Sequence, residues 1–233
     1  MKPAEGCEYN NVIFVHVSAV IGPLIIAGVS IDSDNERIFR KHGVKDSKIL
    51  AHTKRIRLAK SIEEIAKDVI VIKVSACRID NYRKTGVSLN KLEAIKFADI
   101  VNYLNPERAF IDSPDTDPEK LRLFLKKMVN NGSDLVVEHK ADVNYPVCSA
   151  ASIIAKVARE EEVKKLKGKY GDFGSGYTSD TKSIDWLKDW RGNNKHFPEI
   201  VRKSWITSEL IDNEKKQLRL GTWLKGLIEK KEC

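Results

Sequence analysis

E-H-K-A-D-V-N-Y-P-V-C-S-A-A-S-I-I-A-K-V-A-R, residues Glu138 to Arg159, is the stretch on which the fold turns. Leu135 to Val137 precede it and read as the end of a strand. A short polar turn follows, then an apolar-periodic run that continues as a long helix. Pro146 falls where that helix starts, and its missing N–H costs nothing in a first helical turn. Ser149, Ala150, Ala151 and Ser152 are small enough to let the helix lie close on a sheet. Asp142 stands in the turn, four residues before Pro146. An acid held at such a junction has the fixed position a metal ligand needs; a solvated turn aspartate is the alternative reading.

Upstream, Ala109-Phe110-Ile111 reads as a short strand ending on Asp112, in I-D-S-P-D. Pro118 to Val129 is a helix ended by Asn131-Gly132. Two acids, Asp112 and Asp142, therefore follow two successive strands with one helix between. Strand ends form the usual crevice of α/β folds. A right-handed crossover would make the two strands near neighbours and let the acids converge. Two carboxylates at one site repel unless they share a proton or a metal. With no His cluster and only oxygen ligands, the metal is hard: Mg²⁺ or Mn²⁺.

The other segments frame this unit. Residues 1–11 show no periodicity and are expected to be a disordered lead-in. Val12–Val17 and Leu24–Ile31 read as strands, and Ile21-Gly22-Pro23 between them favours an antiparallel pair. Thr53–Lys67 has the spacing of a surface helix, and Val69–Val74 reads as a buried strand. Ser88 is the expected N-cap of a helix running through Leu104 and stopped by Pro106. In V-K-D-S-K-I-L (44–50), Lys and Ser at a helix entrance suit a phosphate, or simply form an N-cap. Gly171, Gly174 and Gly176 lie in a loop whose backbone can approach a ligand, with Tyr177 beside them to stack on a sugar or base. The alternative is a flexible loop with a core-anchoring tyrosine. Thr181–Arg191 is amphipathic, and Pro198–Leu210 is expected to be helical.

Composition narrows the classes. The chain has 233 residues, 42% hydrophobic, enough for a large core. No apolar run reaches the roughly 18 residues of a membrane span, and the N-terminus is a poor signal peptide. Cys7, Cys77, Cys148 and Cys233 lie far apart without a C-x-x-C, so they read as reduced, cytoplasmic and free of zinc. Lys and Arg total 41 against 33 acids, a formal charge of +8. That surplus suits a polyanionic partner, or a basic soluble protein without one, since the charges are spread along the chain.

Taken together, the motifs resemble archaeal ribonuclease HII. The resemblance covers about Val20 to Leu210. It is carried by V-I-G-P-L (20–24), G-V-K-D-S-K (43–48), S-L-N-K-L-E-A (88–94), I-D-S-P-D (111–115), E-H-K-A-D (138–142), Y-P-V-C-S-A-A-S-I-I-A-K (145–156), G-S-G-Y-T-S-D (174–180) and V-R-K-S-W-I-T (201–207). It implies a ribonuclease H-like mixed sheet flanked by helices, with a helical C-terminal extension. It further implies a catalytic domain over 12–211, working as a monomer. The implied activity is an endonuclease that cleaves the RNA strand of RNA–DNA hybrids and incises at ribonucleotides embedded in duplex DNA, using two divalent ions, Mg²⁺ or Mn²⁺. Asp112 and Asp142 match two of the family's four acidic ligands. Tyr177 matches the tyrosine that stacks at the RNA–DNA junction and senses the 2′-hydroxyl. Lys45, Ser47, Lys48, Asn90 and Lys140 fall in substrate-contacting blocks.

The first strand departs from the pattern. The family's other two acids stand there, in a D-E-A-G-[RK]-G motif just before V-I-G-P. This chain reads I-F-V-H-V-S-A at Ile13 to Ala19, and no Asp or Glu occurs between Glu8 and Asp32. Counting back from Gly22-Pro23, Ile13 and Phe14 hold the acid positions. The change is abrupt, which points to a frame error or altered start near codon 19; another frame of the upstream DNA should then encode D-E-A-G. His16 is a poor substitute, since a lone imidazole suits Mg²⁺ badly. Glu8 would need the strand to slip, which flips its faces. The chain as written is expected to cleave very weakly or not at all, or to be an inactive hybrid-binding protein of the same fold.

From Asp212 the chain is charge-rich and reads as a basic tail, 212–233. Gln217-x-x-Leu220-x-x-Trp223-Leu224 resembles the sliding-clamp (PCNA) interaction box. The spacing puts Leu220, Trp223 and Leu224 on one face of a helical turn, with Gln217 as a hydrogen-bonding anchor. An ordinary amphipathic tail is the alternative.

Overall fold

The computed structural model describes residues 19–32, 38–39 and 51–215, and the backbone alone of 11–17. Its elements are β1 (Asn11–Val17), β2 (Leu24–Ile31), α1 (His52–Ile65), β3 (Asp68–Val74), α2 (Ala76–Lys84), α3 (Leu89–Leu104), β4 (Arg108–Asp112), α4 (Pro118–Lys126), β5 (Asp134–Glu138), α5 (Ala141–Asn144), α6 (Pro146–Tyr170) and α7 (Thr181–Asn193). Lys45, Ser47, Lys48 and the box Gln217, Leu220, Trp223 and Leu224 lie outside the described residues, as do residues 1–10 of the lead-in. The chain divides into two compact units, residues 1–17, 24–74 and 86–161 in one and 18–23, 75–85 and 162–233 in the other.

The first unit is built on a five-stranded sheet of order β3-β2-β1-β4-β5. The β1–β2 and β2–β3 pairs are antiparallel, while β1–β4 and β4–β5 are parallel. The short Gly22-Pro23 connection dictates the antiparallel pairing, and the helix between β4 and β5 allows the parallel one. Every residue of β2 is buried, as its continuous L-I-I-A-G-V-S-I run requires of a strand covered on both faces. Ile25, Ala27, Val29 and Ile31 pack with Leu58, Ala59 and Ile62 of α1 and with Val147, Cys148, Ala150, Ala151 and Ile154 of α6. The small residues of α6 are thus core, as their size predicted.

Caps set the helix limits. The Ser88 hydroxyl accepts from Lys91 N–H at 3.2 Å, and Asn105 ends α3 in the left-handed region at φ 46° just before Pro106. Asp117 accepts from Glu119 and Lys120 N–H at 3.1 Å each, with Pro118 behind it.

Four local expectations are corrected. Asp142 lies in α5, a one-turn helix, and is 2% exposed, so it is not a solvated turn residue. β3 is half-exposed along most of its length because it is an edge of the sheet. Helix α2 was not anticipated: A-C-R-I-D-N-Y-R-K buries only Ala76, Ile79 and Asp80, too few for a clear apolar stripe, although Ser75 caps it. Pro198–Leu210 is not one helix. Pro198 to Ser204 forms turns and a bridge, and helix resumes only over 206–215.

In the second unit, Val20, Ile21, Phe173, Leu187, Phe197, Ile200, Val201 and Ile211 form the core. Ile21 donates to Gly176 O at 3.1 Å, Gly22 to Ile200 O at 2.8 Å, and Arg202 to Val20 O at 3.0 Å. Asp80, 6% exposed, accepts from Lys203 N–H, Ser204 N–H and the Ser204 hydroxyl at 2.9, 3.0 and 2.6 Å. Three of the motif blocks, V-I-G-P, G-S-G-Y and V-R-K-S-W, are therefore tied to one another through their backbones.

Candidate active site

Parallel pairing sets Asp112 opposite Glu138 at the C-terminal ends of β4 and β5. Both strands alternate, with Ala109, Ile111, Leu135 and Val137 buried, so Phe110, Asp112 and Glu138 share the other face. After Glu138 the chain turns through His139 and Lys140. Lys140 adopts φ 57°, a strained conformation for a non-glycine residue, and so redirects the backbone into α5. Asp112 Oδ1 accepts the N–H of Ala141 at 3.1 Å, the residue directly before Asp142. The two acids foreseen from the sequence are thus brought together, one of them bonded to the turn that carries the other.

Ser149 of α6 fixes that turn by donating to Asp142 O at 2.5 Å. Glu138 accepts from the Tyr145 hydroxyl at 3.0 Å and from Asn144 Nδ2 at 3.3 Å, and Tyr145 packs on Phe110 with ring centroids 4.3 Å apart. Burial first, then the bond to Glu138, raises the Tyr145 phenol above its ordinary range. The Cys148 thiol is pushed far up, by burial first and then by the charges of Asp112, Asp142 and Glu138. Three carboxylates therefore lie near one buried side chain. Glu138 was quoted within a motif but given no role from the sequence.

The first strand adds no acid here. Its register places Ile13 opposite Phe110 and Phe14 opposite Ile111, the two positions just before Asp112. Among the described residues no group of three His, Cys, Asp or Glu side chains is arranged to hold a metal ion. Asn90, in the first turn of α3, lines a groove of about 580 Å³ with Ser88, Lys91, Asp115, Lys120 and Lys127.

Tyr177, in the second unit, is 36% exposed and sits in a loop hydrogen-bonded to the start of α7. Gly171, Gly174 and Gly176 take φ of 80°, 72° and 82°, values that L residues avoid. Asp180 Oδ2 accepts from Ser175 N–H at 2.6 Å and from its hydroxyl at 2.7 Å, while Oδ1 caps α7 through Lys182 N–H at 3.0 Å. Those bonds, the Ser175 N–H first, lower the Asp180 carboxyl to about 2. Ser183, fully buried, accepts from Gly176 N–H at 2.8 Å and donates to Phe173 O at 2.9 Å. Asp180 was quoted within a motif but given no role from the sequence, although an Asp directly before an amphipathic helix is an N-cap signal, and Ser183 was not singled out.

A mixed sheet of this order, with acids gathered at the ends of its parallel strands, defines the chain as a nuclease-type α/β protein of the ribonuclease H-like fold. Family comparison agrees with that class. The ribonuclease HII model matches residues 18–208, so the match begins just after β1. Ribonuclease HII of Pyrococcus furiosus is 43% identical over 211 residues, 88% of this chain and 93% of the relative. The structure is similar to ribonuclease H2 of Pyrococcus horikoshii OT3, at a TM-score of 0.82 and 38% identity over 88% of this chain and 98% of that one. It is also similar to the nuclease in the PCNA:RNase HII complex of Archaeoglobus fulgidus, at a TM-score of 0.77 and 43% identity over 85% of this chain and 95% of that one. The chain belongs to the ribonuclease HII family of ribonuclease H-type hydrolases. No helix of the described residues is long and apolar enough to cross a membrane.

Proposed function

We propose that this protein acts on RNA–DNA hybrids and on duplex DNA with embedded ribonucleotides, as a member of its family, and that its hydrolytic centre is half-built. The observation that carries the reading is the carboxylate corner of Asp112 and Asp142, next to two apolar positions on β1. Carboxylates are hard oxygen donors and suit Mg²⁺ or Mn²⁺. Two ions, however, need more carboxylate charge and bridging geometry than Asp112 and Asp142 supply, and no described trio of ligands makes up the difference. The residues present do not fit a two-metal centre, so no hydrolytic step is assigned to the chain as written. Lys45, Ser47, Lys48, Asn90 and Lys140 are the proposed backbone contacts, and Tyr177 the ring that meets the ribonucleotide. The catalytic body is proposed to span 12–211. The solved complex of the Archaeoglobus relative with PCNA supports reading Gln217, Leu220, Trp223 and Leu224 as a clamp-binding box in the tail.

The test compares the chain with its Ile13→Asp/Phe14→Glu variant on a duplex carrying one ribonucleotide, in Mg²⁺ and in Mn²⁺. Both proteins are expected to bind. The variant is expected to cleave at least about 100-fold faster, the several kcal/mol that added metal coordination contributes at the transition state. Cleavage by the unmodified chain at a rate the double substitution does not raise would overturn the half-built centre. Failure of both proteins to bind would overturn the substrate reading.

A further inference from the structure

The loop that carries Tyr177 is held from one side by two residues at the start of α7. Asp180 divides its carboxylate between two tasks. Oδ1 caps the helix at Lys182 N–H, 3.0 Å away, and Oδ2 takes both the N–H and the hydroxyl of Ser175. The Ser175 hydroxyl in turn receives the Tyr177 N–H at 3.4 Å, and the Asp180 N–H donates to Tyr177 O at 3.2 Å. Tyr177 is therefore tied to Asp180 at both ends of its backbone. Ser183 fixes the residue before it through Gly176 N–H. Room for this arrangement comes from Gly174: a Cβ there would meet Asp180 Oδ2 at 2.4 Å and Ser183 Oγ at 3.0 Å. Phe173 anchors the loop below, edge-on to Trp186 at 5.7 Å and fully buried. The chain thus spends a charged side chain on the rear of the loop and leaves the ring at its tip partly exposed.

We propose that Asp180 is a positioning residue for Tyr177, holding the ring where it distinguishes a ribonucleotide from a deoxyribonucleotide. The proposal rests on the reading of Tyr177 given above. Asp180 touches no substrate; it acts through the loop backbone. Its carboxylate must accept three bonds at Oδ2 and Oδ1 at once, and an amide cannot do so without turning an N–H₂ toward a donor.

The experiment measures fluorescence anisotropy of the full chain with two labelled duplexes, one all-deoxy and one with a single embedded ribonucleotide, without divalent cations so that nothing is cleaved. The readout is the ratio of the two Kd values. The unmodified chain is expected to favour the ribonucleotide duplex, and Tyr177→Ala to remove that preference. Asp180→Asn is expected to reduce it about fivefold, the effect of losing one charge-assisted hydrogen bond in the rack. In the Tyr177→Ala background, Asp180→Asn should change the ratio no further, as an effect exerted through the ring requires. Ser175→Ala keeps the helix cap and cuts the link to Tyr177. It should move the ratio the same way, and it decides the matter if Asp180→Asn does not fold. No preference in the unmodified chain, or a preference that survives Tyr177→Ala, overturns the Tyr177 reading and this proposal with it. A preference lost in Tyr177→Ala but kept in the folded Asp180 or Ser175 variant overturns the positioning role alone. So does equal weakening of both duplexes.

Discussion

Ser149→Ala isolates the bond that fixes Asp142. In a helix each carbonyl accepts from the N–H four residues on. For Asp142 that residue is Pro146, which has no N–H. The Ser149 hydroxyl stands in for it at 2.5 Å. Ser149 and Asp142 are each 2% exposed, so water cannot take over the role. Removing a donor from a buried acceptor costs about 1–3 kcal/mol. Alanine leaves almost no cavity, so about 2 kcal/mol is the working figure. For a chain of this length, roughly 2–4 °C of melting temperature goes with each kcal/mol, giving a loss of about 4–8 °C. Thermal unfolding followed by circular dichroism reads this. Guanidinium unfolding run alongside shows whether the two compact units melt together or apart. Amide exchange at Val143 and Tyr145 should quicken in the variant, because α5 has lost its tie to α6. A melting temperature within about 1 °C of the unmodified chain, with unchanged exchange, would refute the reasoning.

The loop of Tyr177 should respond to acid. Asp180 has a folded-state pKa depressed to about 2, so its contribution is full above its unfolded value near 3.9 and is lost as pH falls from about 4 toward 2. Asp172, held low by Lys167 first and then Lys182, shifts in the same direction. Near-UV circular dichroism of the Phe173–Trp186 region should follow that window, and Asp180→Asn should shrink the change; identical titrations of the two proteins would count against the clamp. For the tail, Trp223→Ala should abolish retention on immobilised PCNA, and equal retention of both proteins would remove the box.

Much of the frame of the site could be read from the chain because the signals that set it are local. The cap at Ser88, the stop at Asn105-Pro106, the strand ends at Asp112 and Glu138 and the start of α6 at Pro146 are local signals, and each appears within a residue or two of its expected place. What was misread depends on contacts made far along the chain. Helix α2 has a weak apolar stripe because its Asp80 is spent on the backbone of Lys203 and Ser204. Pro198–Leu210 looks helical by composition, yet Val201 bridges to Ile21 and breaks it.

By itself the sequence determined that this is a ribonuclease HII-family chain, that two acids follow two successive strands, and that the first strand brings none. Those are matters of residue identity and local spacing. Only the tertiary structure decided that Asp112 bonds to the turn of Asp142, that Asp142 is buried, and that Asp180 bonds Ser175 N–H and Tyr177 O. A carboxylate's burial and its bonding partners come from groups brought together in space, and residue identity alone does not say which groups those are.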